Sequence, residues 1–171
     1  DIDKKAVANA NLRLGFDAAT GFFGSAVRAA DRELKVTEYD RILAIFQDGS
    51  YRIMAPPEKT LFEGKLVHLE VFDQEKGFEF TLIYRDKQKI PWAKRVRIQS
   101  FIKDKEYELI KEGRIDYFGP AKGTATLTFA NAGRGESADL VVNLAKLELA
   151  GTLTRGSKLS DRAVSKISYG K

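Results

Sequence analysis

The 171-residue sequence contains no cysteine and only one histidine, which restricts the chemistry open to the chain. Disulfides, thiolate metal ligands and cysteine nucleophiles are excluded, and this composition suits a reducing compartment. A single histidine disfavours metal chemistry. No apolar run approaches the roughly 18 residues that a membrane-spanning helix needs. We therefore expect no membrane insertion.

The start of the chain also lacks familiar signals. It begins at Asp1, with neither an initiator methionine nor a charged-then-apolar secretory leader. We therefore expect a piece of a longer protein, whose function exceeds what this piece contains.

Charge is moderately biased towards the positive. Lysine and arginine total 29 against 24 aspartate and glutamate residues, a net charge of +5. Such an excess is compatible with a polyanionic partner but is shared by many ordinary domains. The distribution is more informative, because the stretch from Lys94 to Lys105 carries five positive side chains and one negative.

Apolar residues recur at every second position, together with abundant valine, isoleucine, threonine and aromatic residues, a pattern typical of strands. Helical periodicity is weak throughout. Its best example, 138–150, contains the β-branched pair Val141-Val142 and is better interpreted as strand. The sequence therefore predicts an all-β protein, with turns at Asp48-Gly49, Pro56-Pro57, 75–77, Gly119-Pro120, 133–135 and 155–157.

Three segments repeat one pattern, an alternating strand followed by an aromatic residue, one intervening residue, and Asp or Asn. They are LAIFQDG (43–49), TLIYRDK (81–87) and TLTFANA (126–132), whose aromatic residues are 38 and 45 positions apart. Each follows a glycine that precedes a small or basic residue. This spacing indicates an array of sheet units of about 40 to 50 residues within one domain. The approximate repeats are 1–60, 61–110 and 111–171.

Several short motifs then follow one another in an order that is characteristic of one family. They are TGFFGS (20–25), Ile42–Tyr51 with its Asp48-Gly49 turn, LFEGK (61–65), IYRD (83–86), AKR (93–95) and DKEY (104–107). In this order they resemble the C-terminal domain of bacterial topoisomerase IV A subunits, over nearly the whole chain.

The resemblance implies a β-pinwheel, a propeller-like fold of four-stranded blades that exchange strands with their neighbours. It implies non-sequence-specific binding and bending of duplex DNA, which is thereby presented to the catalytic core of a type II topoisomerase. It places no catalytic residue in this domain. The breakage tyrosine, the magnesium site and the ATPase would belong to other domains or to the B subunit. The parent enzyme would be an A2B2 heterotetramer that needs ATP and Mg, acting in the bacterial cytoplasm at the nucleoid, and the isolated domain would be monomeric.

Two departures from the gyrase branch of the family limit what the resemblance implies. The Gln-Arg-Arg-Gly-Gly-Lys-Gly box that supports full DNA wrapping is absent, with fragments at most at 133–135 and 155–158. The chain is also short. We expect about three to four blades in an open arc and no gyrase-like supercoiling.

The basic stretch from Lys94 to Lys105 has the highest density of predicted DNA contacts in the chain. As a strand, it would place Val96 and Ile98 on a buried face and Arg95 and Arg97 on the opposite face. Lysine and arginine on an outward face neutralise phosphates and release counterions. The residues predicted to contact DNA are Arg28, Arg32, Lys35, Lys65, Lys94, Arg95, Arg97, Lys103, Lys105, Arg114, Arg155 and Lys158.

Some interpretations stay open at this level. Lys87, Lys89, Lys122, Arg162 and Lys166 are further DNA candidates. Glycines such as Gly64 and Gly113 either admit a phosphate to the backbone or serve tight turns. Trp92 is either a packing anchor or a stacking platform. The alternative functions are a protein-interaction scaffold without DNA binding, or a β-architecture enzyme, for which the sequence offers no carboxylate motif.

Overall fold

The computed structural model describes residues 12–28, 30–120, 122–129, 139–152 and 154–170, and it is built almost entirely of antiparallel strands. Within these ranges the one helical element is a single 3-10 turn, Leu144–Lys146. The prediction of an all-β protein is confirmed. The segment 138–150, which the sequence assigned to strand, contains the strands Leu140–Asn143 and Leu149–Ala150 on either side of that turn.

The strands are numbered in chain order. They are β1 (Leu12–Phe16), β2 (Phe22–Gly24), β3 (Arg32–Val36), β4 (Arg41–Phe46), β5 (Ser50–Met54), β6 (Thr60–Leu61), β7 (Leu66–Phe72), β8 (Phe78–Arg85), β9 (Pro91–Ile98), β10 (Tyr107–Glu108), β11 (Arg114–Gly119), β12 (Thr124–Phe129), β13 (Leu140–Asn143), β14 (Leu149–Ala150), β15 (Ser157–Lys158) and β16 (Val164–Gly170).

These strands form four sheets with one repeated connectivity. The orders are β3-β1-β2-β6, β10-β5-β4-β7, β11-β8-β9-β14 with β15 also on β9, and β13-β12-β16. After each of the hairpins β4-β5, β8-β9 and β12-β13, the chain first adds a short strand to the preceding sheet. It then returns and adds a longer strand to its own sheet. This exchange between successive sheets is the connectivity of a β-pinwheel, and four sheets agree with the predicted three to four.

The repeated aromatic motif has a structural counterpart. Phe46, Tyr84 and Phe129 all lie at or next to the end of the first strand of a hairpin, in β4, β8 and β12. The approximate repeat divisions at residues 60 and 110 fall beside the exchanged strands β6 and β10. Strands of two residues are too short to produce a readable alternation in the sequence.

The aspartate of the motif stabilises the turn that follows. The Oδ1 atom of Asp86 accepts hydrogen bonds from the backbone N–H groups of Gln88 (2.9 Å) and Ile90 (3.0 Å). Its Oδ2 atom accepts a hydrogen bond from the indole Nε1 of Trp92 at 3.1 Å. One carboxylate therefore fixes both the β8–β9 turn and the orientation of the tryptophan. The motif's third copy ends at Asn131, which lies outside the described residues.

The described residues fall into two compact units. The first comprises 1–46, 50–77 and 99–107, and the second 47–49, 78–98 and 108–171, each taken within the described ranges. The strands β1 to β7 belong to the first unit, and β8, β9 and β11 to β16 to the second. No helix in the described part of the chain is long and apolar enough to cross a membrane.

Phe62 is the centre of the core of the first unit. Its ring lies 5.9 Å from that of Phe16, 5.2 Å from Phe23 and 5.1 Å from Phe46, measured between centroids. Each aromatic pair adds about 0.5–1.5 kcal/mol to the gain from burial. Because Phe62 directly follows β6, these contacts hold the exchanged strand against the first sheet.

Candidate nucleic-acid interface

Strand β9 confirms the predicted alternation and corrects one predicted DNA contact. Val96 and Ile98 are 0% and 1% exposed, whereas Arg97 on the other face is exposed. Lys94 lies two residues before Val96, on the same buried face, and is 1% exposed. The prediction that Lys94 contacts DNA is wrong, because its side chain does not reach the surface.

The ammonium group of Lys94 instead joins two backbone segments of the second unit, at Leu109 and in the loop between β14 and β15. Its Nζ donates hydrogen bonds to the carbonyl oxygens of Leu109 (2.6 Å), Thr152 (2.8 Å) and Thr154 (2.6 Å). An ammonium has three donors, so these acceptors match it in number. Burial lowers the pKa of Lys94 to about 8. We call this arrangement the Lys94 clamp.

The Lys94 clamp explains how β14 and β15 both reach β9. Leu149 and Ala150 pair with positions 95 and 96 in parallel, whereas Ser157 and Lys158 pair with positions 93 and 92 in antiparallel. The loop between β14 and β15 thus passes Lys94, and its carbonyls accept the ammonium hydrogens. A buried cation therefore holds this loop at the edge of the third sheet.

Of the two arginines on the outward face of β9, Arg95 is ion-paired with a carboxylate of the neighbouring strand. Arg95 Nη2 lies 2.9 Å from Glu79 Oε2, and Arg97 is the cross-strand partner of Glu79. Arg95 is half-buried, with its side chain 32% exposed. The positive charge of this face is partly compensated within the protein, so it is weaker than the sequence suggested.

The remaining predicted contacts are dispersed. Lys103 and Lys105 belong to the first unit, although Arg95 and Arg97 belong to the second. Arg32 donates to the carbonyl of Leu69 at 3.0 Å. The exposed members in the first unit are Arg28, Arg32, Lys35, Lys65, Lys103 and Lys105.

Arg13 is a basic residue of the first unit that the sequence analysis missed. It faces Lys35 across the β1–β3 pair and donates to the carbonyls of Val27 (2.9 Å) and Arg28 (3.1 Å). Its ion pair with Glu33 holds the pKa of that carboxyl below its ordinary value. Arg13 and Lys35 therefore face each other across the two strands, and Glu33 is the counter-charge of Arg13.

The second unit brings basic side chains together around Trp92. The guanidinium of Arg155 lies 4.8 Å from the centroid of the indole ring, and Lys158 Nζ lies 5.6 Å from it. Tyr84 supports the arrangement, since its ring stacks with that of Trp92 and its hydroxyl donates to the carbonyl of Arg155 at 2.7 Å. Trp92 is thus a packing anchor that carries cations on its surface.

A surface depression of about 400 Å³ adjoins this site and is lined by Lys87, Lys111, Glu112 and Arg155. Lys87 and Arg155 are well exposed, at 74% and 50% of their side-chain surface. Lysines and arginines exposed in this way bind phosphate oxygens at low cost in desolvation. We name Lys87, Lys111, Arg155 and Lys158 the Trp92 cluster.

Sequence reasoning found part of the Trp92 cluster. Arg155 and Lys158 were predicted contacts and Lys87 a further candidate, but Lys111 was missed. Its sequence neighbours Glu112 and Gly113 gave no sign of a basic site. The carboxylates near the cluster include Glu112, which lies 3.9 Å from Lys87 and 3.6 Å from Arg155, and Asp161, which lies 3.0 Å from Lys158. Asp86 also lies close, since its Oδ2 accepts the hydrogen bond of the Trp92 indole.

The structure decides the role of Gly113 in favour of a tight turn. Its φ is +91°, and a Cβ atom at this position would collide with the carbonyl oxygen of Arg85. Glycine is required here because other residues rarely adopt that conformation. Gly64 has an ordinary φ, and a Cβ atom at this position would make ordinary contacts with Phe46 at 3.6 Å or more, so the two interpretations remain for it. The turn predicted at 133–135 lies outside the described residues.

Arg114, another predicted contact, lies beside a buried ion pair. Arg85 donates from Nε to Asp116 Oδ2 at 2.7 Å and from Nη2 to Oδ1 at 2.8 Å, a bidentate arrangement. Asp116 accordingly raises the pKa of Arg85. The side chain of Arg114 is 62% exposed, and its Nε lies 3.7 Å from Asp116 Oδ1. Asp116 therefore compensates part of the charge that Arg114 could offer to a bound anion.

Comparisons with known proteins agree with the resemblance seen in the sequence. A family model described as the topoisomerase C-terminal domain of Bacteroidota matches residues 13–171. The A subunit of DNA topoisomerase 4 from Borreliella burgdorferi is 31% identical over 111 residues, which make up 63% of this chain and 18% of that protein.

A solved structure described as the crystal structure of the C-terminal domain of DNA topoisomerase IV is also similar. It has a TM-score of 0.48 and 10% identity, and the match covers 92% of this chain and 60% of that one. The chain spans only 18% of the length of the curated relative from Borreliella burgdorferi. Since the family model covers nearly its whole length, the chain belongs to the family of topoisomerase C-terminal domains described for Bacteroidota.

Proposed function

We propose that this domain binds duplex DNA without sequence preference and bends it, presenting a segment to the strand-passage core of a topoisomerase IV-like enzyme. The observation that carries the proposal is the Trp92 cluster, in which four cationic side chains surround one ring and one depression. Family membership supports the same function.

The physical basis of the proposal is phosphate recognition. Each lysine or arginine that neutralises a phosphate releases condensed counterions, so affinity falls as salt rises. The described residues contain no α-helix that would enter a major groove. Binding would therefore depend on DNA shape and deformability.

The wider setting follows from the family and is part of the proposal. The parent chain would assemble with a B subunit into an A2B2 enzyme in the bacterial cytoplasm, at the nucleoid. ATP and Mg would be bound by other domains and by that B subunit. The isolated domain would be monomeric.

The first test neutralises two well-exposed members of the Trp92 cluster. We expect Lys87→Gln with Arg155→Gln to weaken binding to a duplex of about 40 base pairs by roughly tenfold or more at about 0.1 M salt. The dependence of log K on log salt should become shallower by about 1.8, since each lost phosphate contact removes about 0.9. Fluorescence anisotropy across a salt series measures both quantities.

A matched control has the same net charge. Lys76→Gln with Lys146→Gln removes two exposed cations that do not line the depression, and it should change affinity much less. Equal losses in the two variants would place the DNA elsewhere. Wild-type protein that fails to bind at low salt, or binds independently of salt, would favour the protein-interaction scaffold.

A further inference from the structure

Glu112 occupies the position in the Trp92 cluster where a bound anion would be expected. Its two carboxylate oxygens face different cations, with Oε1 3.6 Å from Arg155 Nη2 and Oε2 3.9 Å from Lys87 Nζ. A phosphate group offers the same feature, two charged oxygens that bridge neighbouring cations. The carboxylate and a phosphate therefore have overlapping binding requirements.

Both contacts of Glu112 are long. Charge-assisted hydrogen bonds between a cationic nitrogen and an anionic oxygen are typically about 2.7–2.9 Å. A phosphate that approached Lys87 and Arg155 to that distance would be bound more closely than Glu112 is. The carboxylate is thus near enough to compensate the two charges, but it does not make optimal contacts with them.

The backbone next to Glu112 is constrained. The next residue, Gly113, has a φ of +91° and packs against the carbonyl of Arg85, which constrains the chain on that side. Arg155, in contrast, has a second support, since its guanidinium lies over the Trp92 ring. Arg155 would therefore keep its orientation when Glu112 is displaced.

We propose that Glu112 is an internal competitor for DNA phosphate, which lowers the affinity and the salt dependence of DNA binding at the Trp92 cluster. The proposal rests on the proposed DNA-binding function. When a phosphate displaces the carboxylate, two ion pairs of the protein are broken, so the net gain from counterion release is smaller. A site without this carboxylate would release DNA less readily.

The decisive variant is Glu112→Gln, which keeps the shape of the side chain and removes its charge. We expect DNA affinity to rise by roughly fivefold or more and the salt dependence to steepen by about 0.9, the contribution of one phosphate contact. Glu148→Gln, an exposed carboxylate of the same unit, controls for the general change in net charge. Anisotropy with the same duplex measures both variants.

A second background tests whether the effect passes through the two cations. In Lys87→Gln with Arg155→Gln, adding Glu112→Gln should change affinity no more than adding Glu148→Gln does. Equal effects of the two glutamine substitutions in the otherwise wild-type chain would overturn the proposal. Weaker binding by Glu112→Gln would overturn it as well, since Glu112 would then organise the cations for DNA.

An anion other than DNA separates this proposal from the proposed function. On immobilised heparin, Glu112→Gln should elute at higher salt than Glu148→Gln. If the wild-type chain failed to bind duplex DNA but this difference appeared, the DNA function and the competition with DNA phosphate would both fail, and Glu112 would compete only with other polyanions. If the two variants eluted together, the competition would fail whatever the outcome with DNA.

Discussion

Replacing Arg85 with methionine is expected to lower the free energy of unfolding of the second unit by about 3–5 kcal/mol, the usual loss when one partner of a buried ion pair is removed. Arg85 and Asp116 are only 12% and 10% exposed. The guanidinium also donates to the carbonyls of Val164 (3.0 Å) and Ser165 (3.2 Å). The variant therefore leaves a carboxylate and two carbonyls without this donor, and β8, β11 and β16 lose a common link.

Urea unfolding followed by tryptophan fluorescence suits this measurement, because the chain's single tryptophan, Trp92, lies in the second unit. Arg95→Met is the matched control. Its ion pair with Glu79 is about one third exposed on both sides, so the loss should stay below about 1 kcal/mol.

A double variant distinguishes the unpaired charge from a simple loss of packing. Arg85→Met with Asp116→Leu removes both charges, and it should be more stable than Arg85→Met alone, because no buried carboxylate remains without its partner. If the double variant lost as much stability as the sum of the two single variants, the ion pair would not be the cause of the effect.

Lys94→Met is expected to destabilise the second unit by about 2–3 kcal/mol, because the buried carbonyl of Leu109 and the partly buried carbonyls of Thr152 and Thr154 lose their donor together. The same tryptophan signal reports the change. Lys166→Met, at an exposed position of β16, should alter the free energy of unfolding by no more than about 0.5 kcal/mol. Equal stability of the two variants would mean that the Lys94 clamp contributes nothing.

The Lys94 clamp also predicts a dependence on pH. Burial lowers the pKa of Lys94 from 10.5 to about 8 in the folded chain. Between these values the unfolded chain binds more protons than the folded chain, so its contribution to stability rises with pH. From about pH 8 to about pH 10, the wild-type chain should gain about 2 kcal/mol relative to Lys94→Met. A difference that falls with pH would show that the three carbonyls raise the pKa instead.

Variants designed to test DNA binding must leave Lys94 unchanged. A charge reversal there would place a carboxylate against three carbonyl oxygens in the interior, and a loss of DNA binding would then report a loss of folding. Arg97 is exposed, so its charge can be reversed without placing a carboxylate in the interior.

Sequence periodicity was a reliable guide to the strands and to their faces. The alternation in β9 correctly placed Val96 and Ile98 inside and Arg97 outside, because side chains on a strand alternate regardless of the rest of the fold. The same alternation assigns Lys94 to the inner face. The prediction of DNA contact at Lys94 followed its charge, and burial of its side chain among three carbonyls overruled that expectation.

The periodicity of the sequence could not predict the exchanged strands. β6, β10 and β14 contain two residues each, which is too few to show a period of two. Their pairing with an earlier sheet depends on contacts distant in sequence, such as those of Phe62 with Phe16 and Phe23. The Trp92 cluster likewise collects residues from positions 87 to 158.

The sequence by itself determined the all-β class, the repeated hairpins and the family, because alternation, turn residues and the order of short motifs are local properties. The tertiary structure decided which cations face solvent and which lie together. A lysine is a DNA contact or a structural clamp according to what covers its strand. That covering comes from the loop between β14 and β15, far from Lys94 along the chain, and no local pattern records it.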